Sequence, residues 1–269
     1  MKKIFFSLSI FAIVFSSCSN CTTTKTTRTN PNEHLVMSTL WYQRASECRA
    51  LYYQAFNIAK VSLDNYMETK QGNKPLAVVV DIDETVLDNS PFETNSIRSE
   101  KNFSSQAWKE WTDKAKAGAT PGSLEFLKYA ANNGVETFYI SNRDTSATKS
   151  TLSNLKKLGF PYADFQHLLL KTNTSLKTTR RNKVMKTHNI VLLAGDNMGD
   201  FDGLFEDRSN NFGFVQVDSL KDLFGKRFII LPNPMYGSWE RQVLKSNQKL
   251  NNSEKEELRK KQLIGYEEL

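Results

Sequence analysis

Residues 76–85 have the sequence Leu76-Ala77-Val78-Val79-Val80-Asp81-Ile82-Asp83-Glu84-Thr85, in which an apolar, β-branched run ends at two carboxylates. Such a run is typical of a strand buried on both faces of a parallel sheet. Open α/β sheets bind ligands beyond the carboxyl ends of their strands. Asp81 and Asp83 follow the predicted strand directly and are expected to lie at that end. Like charges this close together require a cation or a proton nearby. The run therefore predicts a central strand that leads into a reactive site.

The remainder of the chain alternates apolar strands with helical patterns. Further strands are predicted at 135–140, 165–170, 190–194 and 228–231, with helices at 121–133, 145–158 and 176–187. This alternation indicates an α/β fold with a doubly wound, mostly parallel sheet. A helical, aromatic-rich pattern over 34–70 is expected to cover the core. The polar and aromatic segment of about 89–120 is predicted to form a small helical cap over the strand ends.

Four of the predicted strands end in side chains that can do chemistry: Asp81, Ser141, Lys171 and Asp196. In a parallel sheet these ends face the same crevice. Asp81 and Asp196 offer hard oxygen ligands without a converging histidine or thiolate, which favours magnesium. The Ser141 hydroxyl and the Lys171 charge suit the oxygens of a phosphoryl group. The strand ends together predict metal-assisted phosphoryl chemistry.

The same residues resemble the motifs of a known superfamily. Residues 81–85 match the DxDxT signature of haloacid dehalogenase-like phosphatases, and Ser141, Lys171 and the 195–200 segment match its other three motifs in order. Within that superfamily the chain resembles the class C nonspecific acid phosphatases, the bacterial lipoprotein e phosphatases and 5′-nucleotidases. That narrower resemblance is carried by Asp88-Asn89-Ser90-Pro91, Ser141-Asn142-Arg143, the 171–181 segment and Tyr236-Gly237-Ser238-Trp239-Glu240.

The resemblance implies a role for each motif residue. Asp81 would be the nucleophile that forms an aspartyl-phosphate, and Asp83 would be the general acid and base. The implied ligands of Mg²⁺ are Asp81, the backbone carbonyl of Asp83, Asp196, and Asp200 acting on metal-held water or on its neighbours. The implied phosphate-binding residues are Ser141, Asn142 and Lys171.

Substrate recognition is expected to involve aromatic side chains that stack on a nucleobase. The candidates are Phe92, Trp108, Trp111, Tyr236 and Trp239, of which the resemblance favours Phe92 and Tyr236. For any one of them, core packing is the alternative. The expected function is a magnesium-dependent acid phosphatase for phosphomonoesters, above all nucleoside 5′-monophosphates. Two alternatives stay open: a phosphotransferase with the same site, and a non-catalytic surface lipoprotein that binds nucleotides.

The N-terminus has the order of a secretory signal, with Lys2 and Lys3 before an apolar stretch over 4–15 and small residues before Cys18. This order resembles a bacterial lipobox. It predicts a signal peptide over 1–17, a lipidated Cys18, a polar tether over 18–33 and a phosphatase domain over 34–269. The expected location is the bacterial cell envelope, lipid-anchored in the outer membrane and facing the periplasm or the surface. Whether Cys21 and Cys48 pair is left open.

Composition sets the remaining bounds. The 269 residues, 39% of them hydrophobic, suit one large domain with a cap. The net charge of +7 is typical of a lysine-rich solvated surface, and no nucleic-acid-binding module is present in the sequence. His34, His167 and His188 lack ligand spacing and are expected to be structural or exposed. A small-molecule phosphomonoester and a membrane are therefore the expected partners, and a homodimer is open.

Overall fold

The computed structural model describes residues 30–69, 72–245, 247 and 249–268. Its strands are β1 Leu76–Val80, β2 Leu87–Asp88, β3 Gly118–Ala119, β4 Glu136–Asp144, β5 Leu168–Lys171, β6 Asn189–Gly195 and β7 Phe228–Ile230. Its α-helices are α1 Val36–Arg44, α2 Ser46–Glu68, α3 Ser90–Ser99, α4 Ser105–Asp113, α5 Ser123–Asn132, α6 Thr148–Leu158, α7 Thr178–Thr187, α8 Phe214–Ser219, α9 Ser238–Val243 and α10 Asn252–Lys261. The predicted signal peptide, the lipidation at Cys18 and a bond from Cys21 lie outside the described residues.

The centre of the molecule is a five-stranded sheet in the order β5-β4-β1-β6-β7, and every neighbouring pair is parallel. All five residues of β1 are buried, as a strand covered on both faces requires. Val80 lies opposite Tyr139 of β4 and Ala194 of β6. The predicted α/β fold with a mostly parallel sheet is therefore confirmed, and β1 ends between β4 and β6.

Side chains of β1 alternate between two hydrophobic clusters. Val78 and Val80 join the cluster that contains residues of α2, α5 and α6, whereas Ala77 and Val79 join the cluster with α7 and the 201–228 region. This alternation follows from the two-residue period of a strand. Both faces of the sheet are covered, which leaves the strand ends as the accessible part of the sheet.

The helical pattern over 34–70 forms two helices, α1 and α2, because Ala45 between them adopts an extended conformation. The buried stripe of α2 consists of Cys48, Tyr52, Phe56, Ala59, Ser62 and Leu63. Several apolar residues of the range 34–70, which as a whole was expected to cover the core, are exposed instead: Leu40, Leu51, Ile58 and Tyr66. The helix is turned so that large aromatic side chains, which bury more area than aliphatic ones, face the sheet.

The segment between β1 and α5 lies outside the central sheet. β2 pairs with β3 in an antiparallel ladder, with Leu87 opposite Ala119, and this ladder closes the base of a segment that holds α3 and α4. The N-terminal residues pack on the same segment. The Asn32 side chain donates to the carbonyls of Ser96 and Lys101 at 3.0 and 2.8 Å. The last residues of the predicted tether are therefore part of the folded domain.

Two of the three histidines are structural. His167 and His188 are buried. Their Nε2 atoms lie 2.9 and 3.2 Å, respectively, from the same oxygen of Glu136, Oε2. Glu136 begins β4, so this cluster lies at the end of the sheet away from Asp81. Within the described part of the chain, every helix is too short or too polar to span a membrane.

Candidate active site

A cavity of about 1060 Å³ opens at the carboxyl ends of the central strands. Its lining includes Asp81 and Asp83 after β1, and Asp196 and Asp200 after β6. β1 and β6 are hydrogen-bonded neighbours, and the Asp81 amide donates to the Ala194 carbonyl at 2.9 Å. The topology itself therefore brings residues more than a hundred positions apart into one place.

Three carboxylates converge on the cavity floor. Asp81, Asp196 and Asp200 each offer an oxygen, and these oxygens lie within 4.8 Å of one another. Asp200 reaches this position because Gly195 has no side chain: a Cβ atom there would lie only 2.2 Å from an Asp200 carboxylate oxygen. The Asp200 carboxylate also accepts from the Asn197 amide at 2.9 Å, which fixes its orientation.

One cation faces this group. The Lys177 ammonium, 7% exposed, forms a very short contact with Asp81 and lies 2.6 Å from Asp200. Burial acts to lower the pKa of Lys177, but Asp200 and Asp81 outweigh it and the pKa is raised. The lysine therefore stays charged and offsets one of the three negative charges.

Lys177 is the one cation that the described residues place in an ion pair with these carboxylates. Burial raises the pKa of Asp81 to about 7, with Lys177 opposing and Asp200 and Asp83 adding to the shift. Burial also raises the pKa of Asp196 well above its usual range, and Asp200 and Asp81 add to it. Asp196 accepts from the Asn233 amide at 2.8 Å and has no ion-pair partner among the described residues. Three hard oxygen donors with too little positive charge fit a divalent cation.

Asp83 has a different environment from the other carboxylates. The Arg143 guanidinium, which is almost fully buried, donates to Asp83 Oδ1 from Nε at 2.9 Å and from Nη2 at 2.7 Å. The Asn89 amide donates to the same oxygen at 2.8 Å. The Ser141 hydroxyl donates to Oδ2 at 3.3 Å. Asp83 is thus held at the cavity wall, next to Asp81 but outside the group of three.

The predicted phosphate-binding residues are not all brought together. Ser141 is fully buried against Asp83, and Asn142 lines the cavity and accepts from Arg180 at 2.6 Å. Lys171, however, does not line the cavity, and its backbone lies opposite that of Asp144 in the β4–β5 register. It ends the edge strand β5, two strands from β1, whereas neighbouring strands lie about 4.8 Å apart. The assignment of Lys171 is therefore wrong, and Lys177, six residues later, occupies the place expected for it.

The aromatic prediction is also corrected in part. Phe92 is 4% exposed and packs edge-on against Trp108, with ring centroids 5.1 Å apart. It supports the cavity wall without lining it, because α3 turns it inward. The lining aromatic side chains are Phe103, Trp108 and Tyr236. Trp111 instead donates its indole N–H to Asn89 at 2.9 Å, and Trp239 is 42% exposed and does not line the cavity.

Several functional candidates were missed by the sequence reasoning. Lys177, Arg180 and Arg181 come from the start of α7, where the Arg180 guanidinium donates to the Ser141 carbonyl at 2.6 Å. Arg181 donates to the carbonyls of Gly199 and Asp200 at 2.9 and 3.0 Å. The available signal was the density of basic residues over 177–181. A strand-end rule overlooks such residues, because a helix start supplies them.

Comparisons with known proteins agree with this geometry. The model of the HAD superfamily, subfamily IIIB (acid phosphatase), matches residues 9–239. The structure of the class C acid phosphatase from Bacillus anthracis has a TM-score of 0.84 at 40% identity, covering 88% of this chain and 100% of that chain. A crystal structure of the class C acid phosphatase from the same organism with tungstate bound has a TM-score of 0.83 at 39% identity, with the same coverage.

Curated relatives are more distant. The stem 28 kDa glycoprotein of Glycine max is 29% identical over 167 residues, 59% of this chain and 58% of that protein. Acid phosphatase 1 of Solanum lycopersicum is 26% identical over 166 residues, 59% of this chain and 57% of that protein. The chain thus spans a little over half the length of these two relatives. The family model, however, covers most of the chain, so the resemblance to acid phosphatases is confirmed: this chain belongs to the HAD superfamily, subfamily IIIB, the acid phosphatases.

Proposed function

We propose that this protein is a magnesium-dependent phosphomonoesterase that prefers nucleoside 5′-monophosphates and works through an aspartyl-phosphate. The observation that carries the proposal is the convergence of Asp81, Asp196 and Asp200 within 4.8 Å, next to the Lys177 ammonium. Family membership supports the reaction class. The tungstate bound to the class C acid phosphatase of Bacillus anthracis is a tetrahedral oxyanion, as phosphate is.

The first step would take place at Asp81. One of its carboxylate oxygens attacks phosphorus, the bond from phosphorus to the ester oxygen breaks, and a mixed anhydride forms on the aspartate. The Lys177 ammonium neutralises charge on the phosphoryl oxygens as the transition state forms. Its burial makes this stabilisation larger than it would be in water.

Asp83 would be the general acid of the first step and the general base of the second. Its carboxyl gives a proton to the departing ester oxygen, and its carboxylate then takes a proton from the water that hydrolyses the anhydride. Inorganic phosphate leaves and Asp81 is regenerated. Arg143 and Asn89 orient this carboxyl, since both donate to the same Asp83 oxygen.

Magnesium would be held by Asp81, Asp196 and Asp200, whose oxygen donors suit this hard cation. When bound, it would supply positive charge to the phosphoryl oxygens. The backbone carbonyl of Asp83 remains a predicted further ligand.

The nucleotide preference is supported by the size and lining of the cavity. A volume of about 1060 Å³ exceeds what a phosphoryl group needs and suits a ligand of nucleotide size. Trp108 and Tyr236 line it, and aromatic faces stack on nucleobases. Trp108 is held in place by the Arg143 guanidinium, 5.8 Å from its ring centroid, and by Phe92.

The decisive experiment is hydrolysis of a chromogenic phosphate ester and a panel of mononucleotides, with Mg²⁺ and with EDTA. Wild type should release phosphate only with Mg²⁺. Asp81→Asn should be inactive with an unchanged circular dichroism spectrum, since it removes the nucleophile and keeps the shape. Hydrolysis by Asp81→Asn, or equal rates in EDTA, would contradict the proposal. Addition of an acceptor alcohol, with product analysis, separates hydrolysis from phosphotransfer.

The base-stacking part has its own test. Trp108→Ala should raise KM for adenosine 5′-monophosphate about tenfold or more, because stacking on a base is worth about 1–3 kcal/mol. For an ester without a ring, such as glycerol phosphate, KM should change little. An equal rise in KM for both esters would show that Trp108 only supports the fold.

We also propose that Cys18 carries a lipid and that the protein is held at the outer membrane of a bacterial envelope. The support is the charged, apolar and small-residue order of the first 18 residues. Cys18→Ser should move the protein from the membrane fraction to the soluble fraction and abolish palmitate labelling. A homodimer stays a prediction, which sedimentation of the soluble domain would test.

A further inference from the structure

The cavity has a basic rim that the proposed reaction does not use. Arg241 of α9 and Lys255 and Arg259 of α10 line it, together with His34 from the N-terminal segment. These residues lie apart from Lys177, which stands on the cavity floor beside Asp81. The family match ends at residue 239, so it carries no information about α10.

α10 is held firmly over the cavity. Its first turn has a capping box, in which the Asn251 side chain accepts from the Glu254 amide at 3.0 Å and the Glu254 side chain accepts from the Asn251 amide at 2.7 Å. The Arg259 guanidinium donates to Glu240 Oε1 of α9 from Nε at 3.0 Å and from Nη2 at 2.6 Å. A two-point, partly buried ion pair of this kind fixes direction as well as distance.

That ion pair occupies Glu240, so this carboxylate is already paired and two other cations of the rim remain to be considered. Across the described ranges, none of the ion pairs includes Arg241 or Lys255. Arg208 adds to the positive charge near Arg241. Burial lowers the pKa of Arg208, Glu206 opposes that shift, and the neighbouring charge of Arg241 adds to it. Positive charges that crowd one another at the mouth of a cavity favour an anion between them.

Besides Glu240, the glutamates that line the cavity are Glu206, which acts on Arg208, and Glu93. Burial raises the pKa of Glu93 to about 7, and Glu240 adds to the shift. At acidic pH the Glu93 carboxyl is therefore mostly neutral and offsets little of the charge of Arg241 and Lys255.

We propose that Arg241 and Lys255 form a second anion subsite, which selects phosphomonoesters that carry another phosphate group beyond the scissile one, such as nucleoside bisphosphates. This inference rests on the proposed function, because it places the scissile phosphate on the floor at Lys177. The cavity volume of about 1060 Å³ leaves room for a nucleoside between the floor and the rim. The second phosphate would then lie against two cations that form no ion pair with another described residue.

The test compares adenosine 5′-monophosphate with adenosine 3′,5′-bisphosphate, at low and high salt. One arm measures kcat/KM for loss of the 5′-phosphate, with products separated by chromatography. The other measures dissociation constants by calorimetry, with Mg²⁺ replaced by EDTA so that no turnover is needed. The proteins are wild type, the double variant Arg241→Gln/Lys255→Gln, and the control Lys261→Gln, an exposed lysine of the same helix outside the cavity.

Wild type should prefer the bisphosphate at least tenfold in both arms, and the preference should weaken at high salt. The double variant should lose about tenfold of that preference, while Lys261→Gln keeps it. Equal affinity of wild type for the two nucleotides, or the same preference in the double variant, would overturn the subsite. If wild type binds with this preference but hydrolyses neither nucleotide, the proposed function fails and the subsite stands.

Discussion

At the scale of single residues, the charge of the candidate site depends on one ammonium. Three carboxylates, two of them buried and that of Asp196 half-buried, face each other within 4.8 Å, and Lys177 is in contact with the two buried ones. Removing one partner of a buried ion pair leaves an uncompensated charge, which is costly. The same ammonium would meet the phosphoryl oxygens of a bound ester. Lys177 therefore has both a structural and a catalytic role in the proposed reaction.

Lys177→Met should lower kcat/KM for a phosphate ester by about 10²–10³, the usual effect of removing one group that stabilises a transition-state charge. Lys171→Met is the matched control. Because Lys171 lies outside the cavity at the end of the edge strand β5, where a surface substitution changes the free energy by about 0.5 kcal/mol or less, kcat/KM should stay within about a factor of two. Steady-state kinetics at saturating Mg²⁺ measures both. A larger loss of kcat/KM in Lys171→Met than in Lys177→Met would contradict the structure and place Lys171 in the site.

At the scale of elements, α2 does more than cover the sheet. The Tyr52 hydroxyl, fully buried on α2, donates to the Glu84 carbonyl at 2.5 Å, in the turn that follows β1. Tyr42 of α1 lies 2.7 Å away and donates to the Tyr52 oxygen, since the Tyr52 proton is already used. Glu84 itself has a positive φ of 54°, a costly conformation for a residue with a side chain. The helix pair therefore anchors a strained turn between Asp83 and β2.

Tyr52→Phe should lower the free energy of unfolding by about 1–3 kcal/mol, because two buried polar groups lose their partner. Urea denaturation followed by circular dichroism measures the change. Tyr66→Phe, on the same helix but 37% exposed, is the control and should stay within about 0.5 kcal/mol of wild type. Equal stability of the two variants would mean that the Tyr52 hydrogen bonds contribute nothing to the turn.

The elements also show which parts of this molecule its sequence could predict. The sheet strands were located to within a few residues, because buried parallel strands are continuous apolar runs with a defined end. Asp81 and Asp196 came together because their strands, β1 and β6, are neighbours. The direction that α2 faces could not be predicted, since two apolar stripes compete on that helix. Lys177 was missed because its place depends on the path of the chain between β5 and α7, which local patterns do not determine.

At the scale of the whole molecule, the fold concentrates negative charge at the point where its two central strands end. Asp196 has an amide partner but no cation partner among the described residues. Without a metal ion, this carboxylate is repelled by Asp81 and Asp200. With a metal ion, the same carboxylate would be a ligand. The stability of the entire domain should therefore depend on the cation, and the sign of the effect of Asp196 should depend on it too.

In EDTA, Asp196→Asn should have a melting temperature equal to or above that of wild type, because the substitution relieves repulsion and keeps an oxygen for Asn233. With Mg²⁺ at a hundredfold above its dissociation constant, wild type should gain about 2.7 kcal/mol, or about 5–10 °C for a domain of this size. The variant should gain little, so the order of the two melting temperatures reverses. Calorimetric melting with NaCl at matched ionic strength separates binding from screening. Two outcomes would contradict a cation site at Asp81, Asp196 and Asp200. One is a wild-type melting temperature that is the same in Mg²⁺ and in EDTA, and the other is a variant that Mg²⁺ stabilises as much as wild type.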